Sequence, residues 1–251
     1  MNRITLITLG LSFAACSSKT APTREEYDDT AQAIASTTAT SGGGGDVSSM
    51  SDSVTIAQGG MPTGFTLMGD GHFQGSRLGV DYSYSLTCKS AAGVVGLCGA
   101  TTDQASVQVA WSGDLASTNV DASVSRNGSW SLAGLQSDTA TFNGDSTFSF
   151  DATLRSVFRP GVTATYSFDA SASYDAIKIA THERQVIGGT ASFDVAAHAT
   201  VTGAGSNNAD KSFDVHAQIT FHPDHTADLV LDASQHYSLN LTSGAVIRIG
   251  K

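Results

Sequence analysis

The stretch that decides the fold is residues 166–174, which read Tyr-Ser-Phe-Asp-Ala-Ser-Ala-Ser-Tyr. Apolar and small polar side chains alternate strictly here, as in a β-strand with one buried side and one solvent-facing side. No helical period interrupts this pattern between Phe65 and the end of the sequence. Its clearest other copies are residues 80–88, 107–111, 120–124, 148–154 and 193–201. The sequence therefore predicts an all-β domain of antiparallel strands.

The number of alternating segments predicts the architecture of this domain, which we place at residues 63–251. Short connections separate about 11 or 12 such segments, which favours an up-and-down meander. A sheet of that size has to curl, close or fold back on itself. We therefore expect a barrel or a strongly curved sheet.

Two asparagine-glycine sequences are predicted to form hairpin turns. A three-residue loop at residues 126–128 would place Val124 opposite Trp130 and keep the apolar side chains on one face. Residues 143–145, Asn-Gly-Asp, are a candidate for a turn of the same kind. Both turns would divide alternating segments into shorter strands.

A third turn is predicted at residues 223–225, Pro-Asp-His. The loop length pairs Ile219 with Leu229, so that the large apolar side chains share one face. In the same register His216 lies opposite Asp232 on the polar face. This hairpin therefore brings together residues that could carry chemistry.

His216, Asp232 and His236 are the best candidates for a metal site or for a base with its orienting carboxylate. The competing interpretation is that they are solvated residues on the outer side of a strand pair, which contributes a few tenths of a kcal/mol at most. The sequence contains no nucleophile elbow, phosphate loop or zinc-protease motif. We therefore predict no enzyme, no cofactor and no catalytic residue, with a metal-dependent or hydrolytic enzyme using the His216 region as an alternative.

A ligand cavity is predicted on the apolar face of the sheet. Many positions on that face are alanine, which fills space poorly, and wide barrels leave room inside. A small apolar ligand is the candidate partner, with core packing as the competing use of the large side chains. The residues expected to line the cavity are Trp111, Trp130, Phe148, Phe150, Tyr166 and Phe168.

The first 17 residues indicate the cellular location of the protein. An apolar run at residues 4–15 is too short for a permanent membrane helix and ends in Ala-Ala before Cys16. This segment resembles the lipobox of bacterial lipoproteins. The resemblance implies a signal peptide over residues 1–15, cleavage before Cys16, acylation of that cysteine, and export. Ser17 after the cysteine implies sorting to the outer membrane.

Residues 16–62 are predicted to be a lipidated tether with one short helix at about residues 24–36. Thr23 and Glu26 have the spacing of a capping box, and Tyr27 starts a helical apolar period. Four consecutive glycines follow, so that residues 37–62 are interpreted as a flexible connection.

The cysteine content agrees with export, and the charge bears on possible partners. Cys88 and Cys98 flank a glycine-containing loop, which predicts a structural disulfide in an oxidising compartment. The formal net charge of −10 excludes a nucleic-acid partner, because such proteins carry clustered basic residues.

The leading hypothesis from the sequence is a membrane-anchored lipoprotein with a non-enzymatic binding or structural domain for a lipid or another small amphiphile. The first alternative is a transmembrane β-barrel whose polar face lines a pore. The oligomeric state, the ligand and the physiological role stay open at this point.

Overall fold

The computed structural model describes residues 19–40, 45–116, 118–203 and 210–250. Cys16 and the signal peptide lie outside these residues. The described residues form two helices, α1 (Arg24–Thr38) and α2 (Asp46–Ala57). They also form the strands β1 (Phe65–Gly69), β2 (His72–Arg77), β3 (Val80–Ser90), β4 (Val95–Gly96), β5 (Thr102–Ala116), β6 (Val120–Ala133), β7 (Thr139–Arg155), β8 (Val162–Ala180), β9 (Gln185–Gly203), β10 (Asp210–Phe221), β11 (Thr226–Leu231), β12 (Gln235–Asn240) and β13 (Val246–Ile249).

All of these strands belong to one antiparallel sheet in which successive strands pair, apart from β4, which pairs only with β3. The predicted all-β meander is thus confirmed, with 13 strands in the described residues. The sheet curves strongly, because residues 115, 116 and 118–120 at the connection of β5 and β6 line the same cleft of about 300 Å³ as residues 243–246 beside the last strand, β13. Gln32 and Ser36 of α1 complete that cleft.

The predicted turn at residues 223–225 is confirmed. Ile219 pairs with Leu229, and Phe221 pairs with Ala227 across the hairpin of β10 and β11. His225 has a positive φ of 61°, the conformation that closes a turn of this length. Proline supports this turn because it lacks the N–H that a continuing central strand needs.

The two asparagine-glycine turns were predicted wrongly. Strand β6 runs straight through residues 126–128, and Arg126 pairs with Phe148 of β7 rather than ending a strand. Strand β7 runs through residues 143–145 with a register shift between Phe142 and Gly144. Both sequences lie inside long strands because the neighbouring strands pair with them on both sides.

The helices lie inside the curve of the sheet. The capping box of α1 forms as predicted, and this helix continues to Thr38. Helix α2 lies within the segment that was interpreted as a flexible connection. Most residues of both helices are buried. Since their side chains contact strands as far apart as β2 and β13, the sheet wraps around them.

The predicted disulfide joins Cys88 of β3 to Cys98, with Cα atoms 5.1 Å apart. It holds the loop after β3 close to the end of α2. The consequence is a close approach of two backbones there: a Cβ atom added to Gly59 would lie 2.8 Å from the Cα of Gly99.

Candidate functional site

The inner face of the sheet carries a continuous floor of aromatic side chains. All of the residues predicted to line a cavity point to this face and are at most 4% exposed. The rings of Phe150 and Phe168 stack with centroids 4.9 Å apart, and Phe148 lies 5.6 Å from Trp111. Strict alternation on β5 to β8 brings these side chains together from four neighbouring strands. We call this set the aromatic floor.

The two helices cover the aromatic floor in this structure. The hydroxyl groups of Thr30 in α1 and Tyr166 in the floor lie 2.7 Å apart. From α2, the Asp46 carboxylate accepts a hydrogen bond of 2.8 Å from the hydroxyl of Tyr174 in β8. The space in which the sequence predicted a ligand cavity therefore contains two helices of the same chain. That a ligand binds there remains a prediction.

The cover is polar although it is buried. Of the buried residues of α1, only Ala31, Ala33, Ile34 and Ala35 are apolar. The remaining buried residues of this helix are Glu26, Asp28, Asp29, Thr30, Gln32, Thr37 and Thr38. A helix enclosed on all sides is ordinarily apolar all round, because burying polar groups costs free energy.

Ion pairs hold both helices to the sheet. In the described part of the chain, five carboxylates of the helices are buried, and each faces a cation from a strand or a loop of the sheet. We call them the inner ion pairs. They are Glu26–Lys211, Asp28–Arg248, Asp29–Arg159, Asp46–Arg126 and Asp52–Arg77.

The pair of Asp46 and Arg126 differs from the other four in its depth. The Arg126 side chain is 0% exposed, whereas the cations of the other inner ion pairs are 21–32% exposed. Its guanidinium carbon lies 5.0 Å from the ring centroid of Phe148 and 5.6 Å from that of Trp111. Arg126 Nη1 also donates a hydrogen bond of 2.6 Å to the Tyr174 hydroxyl. Burial lowers the pKa of Arg126.

Asp52 and Arg77 form the second tie between α2 and the sheet. The Asp52 side chain is 8% exposed, and its carboxylate also accepts a hydrogen bond of 3.4 Å from the Tyr84 hydroxyl. Desolvation raises the pKa of Asp52 to about 6, although the Arg77 cation and the hydrogen bonds oppose this change. Arg77 lies over the rings of Phe65 and Tyr82, at 5.1 Å from each centroid.

The predicted metal candidates lie on the outer face of the sheet. His216 Nδ1 lies 2.8 Å from an Asp194 carboxylate oxygen on β9, and the His216 amide donates a hydrogen bond of 2.8 Å to Asp232. The other carboxylate oxygen of Asp232 accepts a hydrogen bond from Tyr27. His236 lies on β12, where its backbone is opposite Val230 of β11 and Ile249 of β13. Within the described residues, no group of three metal-ligating side chains converges.

A groove of about 810 Å³ crosses the outer face of the sheet. It crosses β2, β3 and β5 to β9, and small hydroxyl and amide side chains predominate in its lining. The charged or titratable residues among its lining are His72, Asp145 and Asp194. Their separation along the groove gives no convergent set of acid, base and nucleophile.

The sequence reasoning missed the inner ion pairs. Arg126 was assigned to a turn, and Asp46 and Asp52 were assigned to a flexible connection. One signal was available, because Arg126 follows Val120, Ala122 and Val124 at the same period of two. A charged side chain at an inward position predicts a buried partner of opposite sign. The identity of that partner, 80 residues earlier, could not be read from the alternation.

Comparison with known proteins gives no assignment: no family model matches this chain, and neither a curated protein nor a solved structure matches it. Within the described residues, neither helix is long and apolar enough to cross a membrane. The functional argument therefore depends on the geometry of the inner face.

Proposed function

We propose that this chain is a lipid-anchored protein of the bacterial cell envelope whose curved sheet is a non-enzymatic binding domain for an amphiphilic ligand. The observation that carries the proposal is the nature of the cover over the aromatic floor. The buried residues of α1 are largely polar, half of those of α2 are polar, and ion pairs hold both helices in place. An apolar floor under such a cover suits an acyl chain better than it suits permanent contact with aspartate and threonine.

The orientation of the two faces supports this proposal over the pore alternative. A transmembrane barrel places its apolar face outward against lipid. In this structure the large apolar side chains of β5 to β10 point inward, and Ser, Thr, Asp and His alternate with them on the outside. A protein of this kind should stay monomeric and folded in buffer without detergent. Aggregation that only detergent reverses would favour the pore.

Ligand binding can be tested with the fluorescence of Trp111 and Trp130, which are the two tryptophans of the chain and both belong to the aromatic floor. We expect palmitate brominated along its acyl chain to quench this fluorescence in the full chain carrying Cys16→Ser. Bromopropionate is the control, because it has the same head group but almost no acyl chain. Absence of quenching by the brominated acid and by its neutral methyl ester, in a folded protein, would refute the proposal.

The membrane anchor is tested separately. We expect Cys16→Ser to move the protein from the membrane fraction to the soluble fraction and to remove its labelling by radioactive palmitate. Ser17→Ala is the control, because it leaves the acylated cysteine in place. Unchanged membrane association of Cys16→Ser would contradict the lipoprotein assignment without affecting the binding test.

A further inference from the structure

Four hydrogen-bond donors in the middle of the inner face lack an acceptor. They are Arg126 Nε, Arg126 Nη2, Trp111 Nε1 and Trp130 Nε1, and each is buried without a hydrogen-bond partner among the described residues. A buried donor without an acceptor costs about 1–3 kcal/mol. We call this group the donor patch.

The backbone of the sheet brings the donor patch together. Trp111 of β5 pairs directly with Arg126 of β6. Gly128 is the next inward position on β6, and a Cβ atom there would lie 2.7 Å from Trp130 Nε1. Glycine at this position therefore leaves the space that the Trp130 indole occupies. The result is a cluster of donors with a positive charge, and the carboxylate that faces it is that of Asp46.

We propose that the donor patch is a binding site for the anionic head group of an amphiphile, and that Asp46 of α2 occupies this site as a stand-in for the ligand. This inference rests on the proposed function, and it adds the chemical class of the ligand and the way in which the site is closed. A carboxylate or a phosphate ester accepts paired hydrogen bonds from a guanidinium group. The acyl chain attached to it would lie along Phe148, Phe150 and Phe168.

Helix α2 is the part of the cover that has to leave. It contributes the carboxylate at the donor patch, and it has no side-chain cap at its first turn. Among the described residues, its polar contacts with the sheet include the ion pairs of Asp46 and Asp52 and a 3.3 Å hydrogen bond from the Gln58 side chain to the Leu135 carbonyl oxygen.

Helix α1 is held by more interactions. It has a capping box and three inner ion pairs. Gln32 in its middle donates to the Arg155 carbonyl oxygen at 3.0 Å and accepts a 3.0 Å hydrogen bond from the Val157 amide. We therefore expect α1 to stay in place when α2 is displaced.

The first test removes the stand-in. In Asp46→Ala, no carboxylate competes for the donor patch, so the variant should bind brominated palmitate about tenfold tighter or more than the Cys16→Ser parent, equivalent to about 1.4 kcal/mol. Palmitate should also raise the Tm of Asp46→Ala by more than it raises that of the parent. Hexadecanol, which has the chain without the charge, should do neither.

One further variant and one further ligand make this test decisive. Asp46→Ala combined with Arg126→Met removes both charges and should lose the preference for palmitate over hexadecanol while remaining folded. Acetate distinguishes the sources of the anion: stabilisation of Asp46→Ala by acetate as large as that by palmitate would mean a site for small anions only. Equal affinity of Asp46→Ala and its parent for palmitate would refute the proposal that the Asp46 carboxylate occupies the head-group site.

The second test follows the helix itself. Ser53→Cys places a thiol on α2 and Ala35→Cys places one on α1, at positions 0% and 1% exposed. Palmitate should accelerate maleimide labelling of the α2 thiol and leave the α1 thiol protected. Quenching of tryptophan without faster labelling of α2 would contradict the displacement but keep the binding function. Absence of both quenching and labelling would contradict the binding function as well.

Discussion

Arg126 and Arg155 lie on neighbouring strands and each pairs with an aspartate, but the two pairs are on opposite sides of the sheet. Arg126 and Asp46 are 0% and 1% exposed, whereas Arg155 and Asp121 are 57% and 54% exposed. Burial changes how much an arginine–aspartate pair contributes to the stability of the fold. An exposed pair is screened by water and contributes little, while a buried charge that loses its partner is left without compensation. The inner ion pairs therefore determine which segments can occupy the interior.

The largest effect is expected from breaking the deepest pair. Arg126→Met should lower the free energy of unfolding by about 3–5 kcal/mol, because it leaves the Asp46 carboxylate buried without its cation. Urea unfolding followed by tryptophan fluorescence measures this. Arg126→Met combined with Asp46→Asn should be more stable than Arg126→Met alone, since no uncompensated charge remains. Strictly additive losses in the two single variants and the combined variant would show that the charges are not coupled.

A smaller effect on the free energy of unfolding is expected from a change of pH that protonates Asp52. The pKa of this carboxyl is raised to about 6 from 3.8, so the folded protein binds a proton before the unfolded chain does. Stability relative to Asp52→Asn should therefore increase as the pH falls from about 7 to about 4, by about 1–3 kcal/mol. This contribution is fully present below the unfolded pKa and is lost as the pH rises through the folded pKa.

The Asp52→Asn variant is the reference because both proteins contain Asp29, whose pKa is also raised by burial. Urea unfolding at a series of pH values gives the difference directly. A constant difference between the two proteins over this range would mean that Asp52 has an ordinary pKa, and that Arg77 compensates its burial completely.

The smallest effect is expected on the outer face. Arg155→Met makes the same chemical change as Arg126→Met but removes an exposed pair, and it should change the free energy of unfolding by less than about 0.5 kcal/mol. His216→Ala, which removes the contact with Asp194, should behave in the same way. A loss at Arg155 as large as that at Arg126 would remove the distinction between the two faces.

The alternation of side chains was sufficient to predict the sheet, its antiparallel order and the faces of its strands. It was also sufficient for the turn at residues 223–225, because proline and the apolar register agreed. It failed at residues 126–128, where asparagine-glycine resembled a turn. Pairing with strands on both sides outweighed this local preference, and the inward Arg126 forms an ion pair with a carboxylate that is distant in sequence.

The site could be predicted only in part. The aromatic residues on the inner face followed from their period, so the floor was visible in the sequence. Helix α2 was not, because its composition of serine, aspartate and glycine neighbours is typical of a linker. It becomes a helix where Asp46 and Asp52 meet cations and where Met50, Val54 and Ile56 are buried against the sheet. The helical spacing of Val47, Met50 and Val54 was an available signal, and it was overlooked beside the run of four glycines.

The pair of Asp28 and Arg248 has a consequence for the order of folding. These residues are 220 positions apart, so the carboxylate in α1 can pair with its cation only after β13 has been synthesised. Contacts of such long range make folding slow, because the chain has to close a large loop before they form. During synthesis the acidic helices emerge well before the strands that enclose them. The sheet therefore completes its assembly around a segment that was synthesised first, and kinetic trapping of half-wrapped species is the characteristic risk of this topology.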